Sequence, residues 1–191
     1  MNTITELIRK YPFVAKFLVL MFMWKVMYHI IWHYEVPGAW YYDICIAVIT
    51  VILTHVSFLL ELIGFATEVV APERIVKIIG TTGVEVGEPC IGIGVTGLFI
   101  GLIISYHGKI ADKLKYIALG VSVIYFLNLM RIGALAILVQ YDPLIWELNH
   151  KFVFTIVVYS AIFFMWVNWI NFQKIKSDEK DSEGELKLSE V

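Results

Sequence analysis

Three residues whose side chains could together transfer an acyl group lie far apart in the sequence: Cys90, Arg131 and His150. In such chemistry a thiolate attacks a carbonyl carbon, an imidazole accepts and returns protons, and a fixed cation stabilises the oxyanion that forms. Each residue also has a purely structural interpretation, as a small apolar filler, a packing arginine or a hydrated histidine. The choice depends on the elements that position them.

The composition predicts that these elements lie in a membrane. The 191-residue chain is 59% hydrophobic and 17% charged, with a mean hydropathy of +0.76, whereas soluble domains are about 45–50% apolar. We therefore expect the lipid bilayer as a partner. The formal net charge is −2 and no basic patch occurs, so nucleic acid is not expected. The two cysteines lack neighbours at metal-ligand spacing, and we predict no metal and no cofactor.

Five apolar windows are candidates for membrane spans, since a helix needs about 20 residues to cross ~30 Å of hydrocarbon. The first is too long for the core of a signal peptide, and we expect it to be retained. The third is short and rich in glycine, which lets a neighbouring helix approach closely. We predict an all-α, polytopic transmembrane helix bundle of about five spans, forming a single domain over 1–172. The windows are roughly 12–32, 44–64, 91–106, 116–139 and 151–172.

Two stretches outside these windows differ in character. Residues 65–89 mix charged, proline, glycine and β-branched residues. Within them, residues 74–79 and 82–86 flank Gly80 and predict a small membrane-proximal hairpin before the third span. Residues 173–191 form a charged tail of low hydrophobicity, and we expect that tail to be disordered.

The order of the last three windows predicts where the candidate residues meet. If each window crosses once, Cys90, the segment 139–149 and His150 share one face of the membrane. The lysines of the 109–115 loop and of the tail lie on the other face, and an excess of lysine is typical of the cytoplasm. The candidate site is therefore expected to face outward. Two earlier spans would then also place the basic N-terminal residues outside, which leaves open whether the N-terminus is external or an early element is not a crossing span.

Local context supports a chemical role for two of the residues. Cys90 stands where the third window begins, and a helix N-terminus with a nearby cation favours the thiolate. Arg131 lies about 12 Å inside the fourth window, a depth at which a charge is expected to face the bundle or a wet cavity. Asn128 precedes Arg131 by one turn on the same helix face.

Three short blocks around these residues resemble the motif blocks of exosortases and archaeosortases. With their surroundings they cover about residues 65–172. The resemblance implies that Cys90 is the nucleophile, Arg131 the electrostatic stabiliser and His150 the acid and base. The blocks read Glu88-Pro89-Cys90-Ile91-Gly92-Ile93, Asn128-Leu129-Met130-Arg131-Ile132 and Asn149-His150-Lys151-Phe152-Val153-Phe154. As supporting residues we take Asn128, Asn149 and Glu88, of which the last two are candidates to orient the imidazole.

Members of that family are multi-spanning proteins thought to cut a C-terminal sorting signal, made of a short motif, a hydrophobic helix and a basic tail, and to transfer the protein onward. The resemblance therefore implies a cysteine peptidase or transpeptidase in the inner (cytoplasmic) membrane. Its expected partners are exported proteins that carry a C-terminal hydrophobic sorting helix. Two departures bear on substrate fit and class: Ile91 replaces a small hydroxyl residue found in many members, and longer members have further N-terminal spans.

Two other classes of function stay open on sequence grounds. In a membrane scaffold or transport component, Arg131 would bind an anionic partner and the thiol would have no role. A thiol-redox enzyme would need Cys90 and Cys45 to pair, but they are 45 residues apart in different windows and form no CxxC motif.

Overall fold

The computed structural model describes residues 11–33, 40–71, 73–139 and 153–189. Within these ranges the chain is a bundle of helices with a small sheet, which confirms the predicted all-α polytopic class. The helices are α1 (Pro12–His33), α2 (Trp40–Leu62), α3 (Ile93–Ser105), α4 (Ile110–Leu138) and α5 (Phe154–Ser189), and the strands are β1 (Thr67–Val70), β2 (Ile75–Ile78) and β3 (Val84–Glu85). A short 3-10 helix, Glu88–Ile91, precedes α3.

Four of the helices, α1, α2, α4 and α5, are long and apolar enough to cross a membrane. The third predicted span is different, because α3 has only 13 residues. At 1.5 Å per residue it is about 20 Å long, well short of the ~30 Å hydrocarbon core. The expectation of a full crossing there was wrong. Gly92 adopts a left-handed conformation with φ 79°, which separates the 3-10 helix from α3 and delays the start of the α-helix.

The predicted hairpin is present as part of a larger sheet. Strands β2 and β3 pair antiparallel, and β1 adds to the other edge of β2. Strand β1 was not predicted, because four residues are too few to show a clear alternation. Inward-facing sheet residues belong to one buried cluster with α2 and the last part of α4. Its members include Val56, Leu60, Val76, Val84, Val86, Leu129, Ile132 and Ala136. We call this end of the bundle, where α4 finishes at Leu138, the sheet end.

Helices α3 and α5 both run antiparallel to α4. Beside α3, Gly120 of α4 faces the ring of Phe99, and Lys113 Nζ donates to the carbonyl of Ile104 at 2.9 Å. Beside α5, Tyr116 Oη donates to the carbonyl of Met165 at 2.7 Å. The start of α4 therefore lies beside the end of α3 and the middle of α5. We call this opposite end, which carries Lys109, Lys113, Lys115, Lys174 and Lys176, the lysine end.

Helix α1 packs mainly on α3. The indole of Trp24 lies against Gly97, where a side chain would collide with it. The rings of Phe13 and Tyr106 meet edge to face at 5.7 Å. Since Tyr106 follows the last residue of α3, the first turn of α1 lies at the lysine end. Most of α1 is exposed on the outside of the bundle, where an apolar helix in a membrane contacts lipid.

Helix α5 continues to Ser189, through residues for which we expected disorder. Gln173 is buried against Gly108, and Lys176 Nζ forms an ion pair with Asp112 at 2.5 Å. These contacts hold the first turns of the tail against α4 and the loop before it. The rest of the tail is rich in glutamate and lysine, which are good helix formers.

Substitution of Gly120 tests the packing of α3 on α4. A Cβ at this position would lie 2.2 Å from the buried ring of Phe99, so we expect Gly120→Ala to lower the free energy of unfolding by about 1–3 kcal/mol. Gly94→Ala is the matched control, because a Cβ there has no atom within 4 Å. The measurement is unfolding of both variants in mixed detergent micelles. Equal stability of the two would contradict this packing.

Candidate active site

Cys90 is buried in the 3-10 helix rather than placed in the first turn of a long α-helix. Its side chain is 8% exposed and belongs to the cluster formed with the sheet and α4. Its backbone N–H donates to the carbonyl of Gly87 at 3.0 Å. The left-handed residue Gly92 then turns the chain into α3, where the N–H of Thr96 donates to the Gly92 carbonyl at 2.9 Å. The sheet and this glycine turn together determine where the thiol lies.

Asn128 ties this segment to α4. Its side-chain Nδ2 donates to the backbone carbonyl of Cys90, and the amide is buried at 5% exposure. Asn128 precedes the end of α4 at Leu138 by ten residues, which corresponds to about 15 Å along the helix axis. Cys90 therefore lies well inside the bundle. The sequence had placed it at a face of the membrane, because it treated α3 as a full span that began there.

Arg131 follows Asn128 by one helical turn toward the sheet end and lines a cavity of about 230 Å³. The guanidinium Nε is buried and has no hydrogen-bond acceptor among the described residues. Burying an unpaired donor is costly unless an acceptor arrives. The cavity is thus polar at this wall and suited to an oxygen that carries negative charge. Asn128 and Gly92 also line it. Cys90 is not among the lining residues; it precedes Gly92 by two residues, and its side chain belongs to the apolar cluster.

Three predicted residues cannot be placed. His150 and Asn149 fall in 140–152, outside the described residues. The backbone of Glu88 is described, but its side chain is not. In the sequence the histidine lies between Val139, which follows α4, and Phe154, which begins α5 and lines the cavity with Arg131. Of the six predicted residues, the structure brings together Cys90, Asn128 and Arg131.

Two residues of α5 were missed by the sequence analysis. Thr155 and Tyr159 line the same cavity and contribute the hydroxyl groups of its lining. Both are exposed on the bundle surface, so the cavity opens beside α5. Their spacing of four residues puts them on one helical face, and that polar stripe at the start of an apolar span was the available signal.

Comparison with known proteins identifies the family to which this chain belongs. The sequence model of the transmembrane exosortase family matches residues 11–170, more than four fifths of the chain. No curated protein and no solved structure matches. The matched region begins at the start of α1, includes the sheet and the cavity, and ends within α5. From this match and the bundle of apolar helices, we conclude that the chain belongs to the transmembrane exosortase family and is a multi-pass membrane protein.

Proposed function

We propose that this protein is a membrane-embedded cysteine peptidase or transpeptidase that processes a C-terminal sorting signal of exported proteins. Cys90 is the nucleophile, Arg131 stabilises the oxyanion, and His150 acts as base and acid. Asn128 positions the cysteine, while Glu88 and Asn149 orient the imidazole.

The observation that supports this proposal best is the hydrogen bond from Asn128 to the backbone of Cys90. Through it, one face of α4 holds the cysteine segment and also presents Arg131 to the cavity one turn away. A nucleophile and an electrostatic stabiliser must be held rigidly with respect to each other, since small displacements reduce the rate strongly. The buried amide and the packed sheet supply that rigidity.

The proposed reaction has two steps. His150 accepts the proton of the Cys90 thiol, and the thiolate attacks the scissile carbonyl carbon. The Arg131 guanidinium stabilises the oxygen that becomes negative. Collapse of this intermediate breaks the carbon–nitrogen bond, and His150 donates its proton to the leaving amine. The resulting thioester is then attacked by water or by an amine, from which His150 removes a proton. The thiolate leaves and regains that proton from His150, so that the enzyme is regenerated.

The distribution of lysines supports an orientation for this site. We infer that the lysine end faces the cytoplasm and the sheet end faces outward, because short cytoplasmic loops carry an excess of lysine and arginine. A sorting helix would then enter from the bilayer beside α5, where Thr155 and Tyr159 border the opening of the cavity. The inner membrane is the membrane in which exported substrates would meet such a site.

The scaffold hypothesis predicts different behaviour. The unpaired Nε of Arg131 would also suit a bound anion in a protein with no catalytic thiol. In that case Cys90 and Cys45 would both behave as ordinary thiols, and Arg131 would not affect them.

Thiol labelling separates the two hypotheses. We expect the rate at which a small maleimide labels Cys90 to depend on Arg131 and His150, because a cation and a base beside a thiol increase its reactivity. The labelling rate of Cys45, which is half-buried in α2, should not depend on them. The measurement is the labelling rate of each cysteine across pH, in purified protein reconstituted into bilayers and analysed by peptide mass spectrometry.

Two variants and one reference complete this experiment. Arg131→Ala and His150→Ala should each slow the labelling of Cys90 at neutral pH and leave that of Cys45 unchanged. Cys45 in the same molecules is the internal reference for access and folding. If both cysteines label alike and neither variant matters, the scaffold hypothesis replaces the enzyme hypothesis.

A further inference from the structure

A second cavity lies at the lysine end, far from Cys90 along the helix axes. It has a volume of about 440 Å³, within the range of small-molecule sites, and it is formed between the α3–α4 loop and α5. Its lining residues are His107, Gly108, Lys109, Gln173, Lys176, Ser177 and Glu179.

The charges around this cavity favour an anion. Lys109 and Lys176 line it, and the imidazole of His107 adds a further polar group. Lys176 is paired with Asp112, and Glu179 is the acidic residue of the lining. The surrounding surface adds three further lysines at the same level, namely Lys16 of α1 and Lys113 and Lys115 of α4. Positive charge is therefore in excess around the cavity.

Gln173 gives the cavity a polar donor in need of an acceptor. This side chain is 6% exposed, and its Nε2 has no hydrogen-bond acceptor among the described residues. Gly108 packs directly on the amide, because a Cβ there would lie 2.9 Å from the amide carbon. A buried amide N–H without an acceptor is unfavourable. A ligand with acceptor oxygens in this cavity would relieve that penalty.

The level of the cavity indicates the source of such oxygens. The long apolar run of α4 begins only after Lys115, so the α3–α4 loop lies where hydrocarbon gives way to headgroups. Anionic phospholipids place their phosphates at this level and attract lysines there, with about 1 kcal/mol for each lysine.

We propose that the cavity at the lysine end binds a phosphate group, carried by the headgroup of an anionic phospholipid. Lys109 and Lys176 contact the phosphate oxygens, and Gln173 donates to one of them. The lipid then bridges the α3–α4 loop and α5, and it strengthens the contact that the Lys176–Asp112 ion pair already makes. This binding is independent of the chemistry at Cys90.

The test uses the purified full-length protein in neutral detergent micelles. Phosphatidylglycerol, phosphatidylcholine and inorganic phosphate are each titrated, and the midpoint of thermal unfolding is recorded. We expect phosphatidylglycerol to raise the midpoint of the wild-type protein with saturation, and phosphatidylcholine to raise it little.

Lys109→Gln and Lys115→Gln form a matched pair, since both are exposed lysines at the lysine end and only Lys109 lines the cavity. We expect Lys109→Gln to weaken the apparent affinity for phosphatidylglycerol about fivefold and Lys115→Gln to change it less than about twofold. Gln173→Leu should also weaken binding. Without lipid, however, it should match or exceed the wild-type midpoint, because it removes the unpaired amide.

Each outcome decides the proposal. Weaker binding in Lys109→Gln and Gln173→Leu, with an affinity changed less than about twofold in Lys115→Gln, supports a phosphate site in the cavity. If inorganic phosphate shows the same pattern while the lipid adds nothing, the source is free phosphate rather than lipid. Equal weakening by the two lysine variants would show diffuse attraction and overturn the site. A wild-type protein that neither lipid nor phosphate stabilises would also overturn it.

Discussion

Cys90→Ala is expected to abolish processing of an exported substrate, with a loss of rate of about 10⁴-fold or more. Alanine has no nucleophile, so neither the attack on the carbonyl nor the thioester can occur. The measurement is conversion of a precursor to its processed form, on co-expression with an exported reporter that carries a C-terminal hydrophobic sorting helix. The fraction converted is followed over time by gel mobility and by mass spectrometry.

Cys45→Ala is the matched control for this variant, because it makes the same change in an apolar helix away from the cavity. Both variants should insert into the membrane at wild-type levels, since losing one sulfur atom leaves only a small void in the packed cluster around Cys90. Processing that persists in well-inserted Cys90→Ala would exclude the thiol mechanism. The alternative in which Arg131 serves only as an anion site would then gain support.

Arg131→Lys is expected to reduce processing by about 10²–10³-fold, although it preserves the charge. The guanidinium is a planar fork of donors, whereas the lysine ammonium is a strongly hydrated point charge on a flexible stem. Loss of one donor to an oxyanion has an effect of this size in other enzymes. The measurement is the same conversion assay, at substrate levels that separate turnover from binding.

Arg74→Lys provides the comparison for Arg131→Lys, because Arg74 lies in the loop before β2 and outside the cavity. We expect it to process substrate at close to the wild-type rate. A defect only at low substrate level in Arg131→Lys would assign Arg131 to substrate binding. A defect at saturating substrate supports its role in the transition state.

The overall fold was predictable from the sequence because a bilayer leaves few choices. An apolar run must become a helix in which every backbone group is paired. Four of the predicted windows lie almost entirely within such helices, although the last helix continues to Ser189, beyond the predicted 172. The β2–β3 hairpin was also predictable, from β-branched residues on both sides of Gly80. The third span was not, because its hydropathy is high while its length is set by the left-handed turn at Gly92.

The sequence indicated which residues to examine for a site but not how deep they lie. The spacing of Asn128 and Arg131 predicts that both lie on one face of α4, and in the structure both line one cavity; their catalytic roles stay a prediction. The contact between Asn128 and the backbone of Cys90 joins segments 38 residues apart, and no local pattern encodes such a pairing. Thr155 and Tyr159 were overlooked because hydroxyl residues near the start of an apolar span are common and carry little information alone.

The short helix α3 has a consequence for the substrate if Cys90 is the nucleophile, as proposed. Cys90 is held beside Asn128, about 15 Å below the sheet end of α4, so the bond to be broken would have to reach that level of the bundle. In a regular α-helix the carbonyl groups are hydrogen-bonded along the axis and the carbonyl carbons are shielded by side chains. A sorting helix that enters beside α5 would therefore have to unwind locally before the thiol could reach its backbone. Unwinding exposes peptide groups that need hydrogen-bond partners inside a membrane. The polar side chains of Arg131, Thr155 and Tyr159, which line the cavity, could supply those partners.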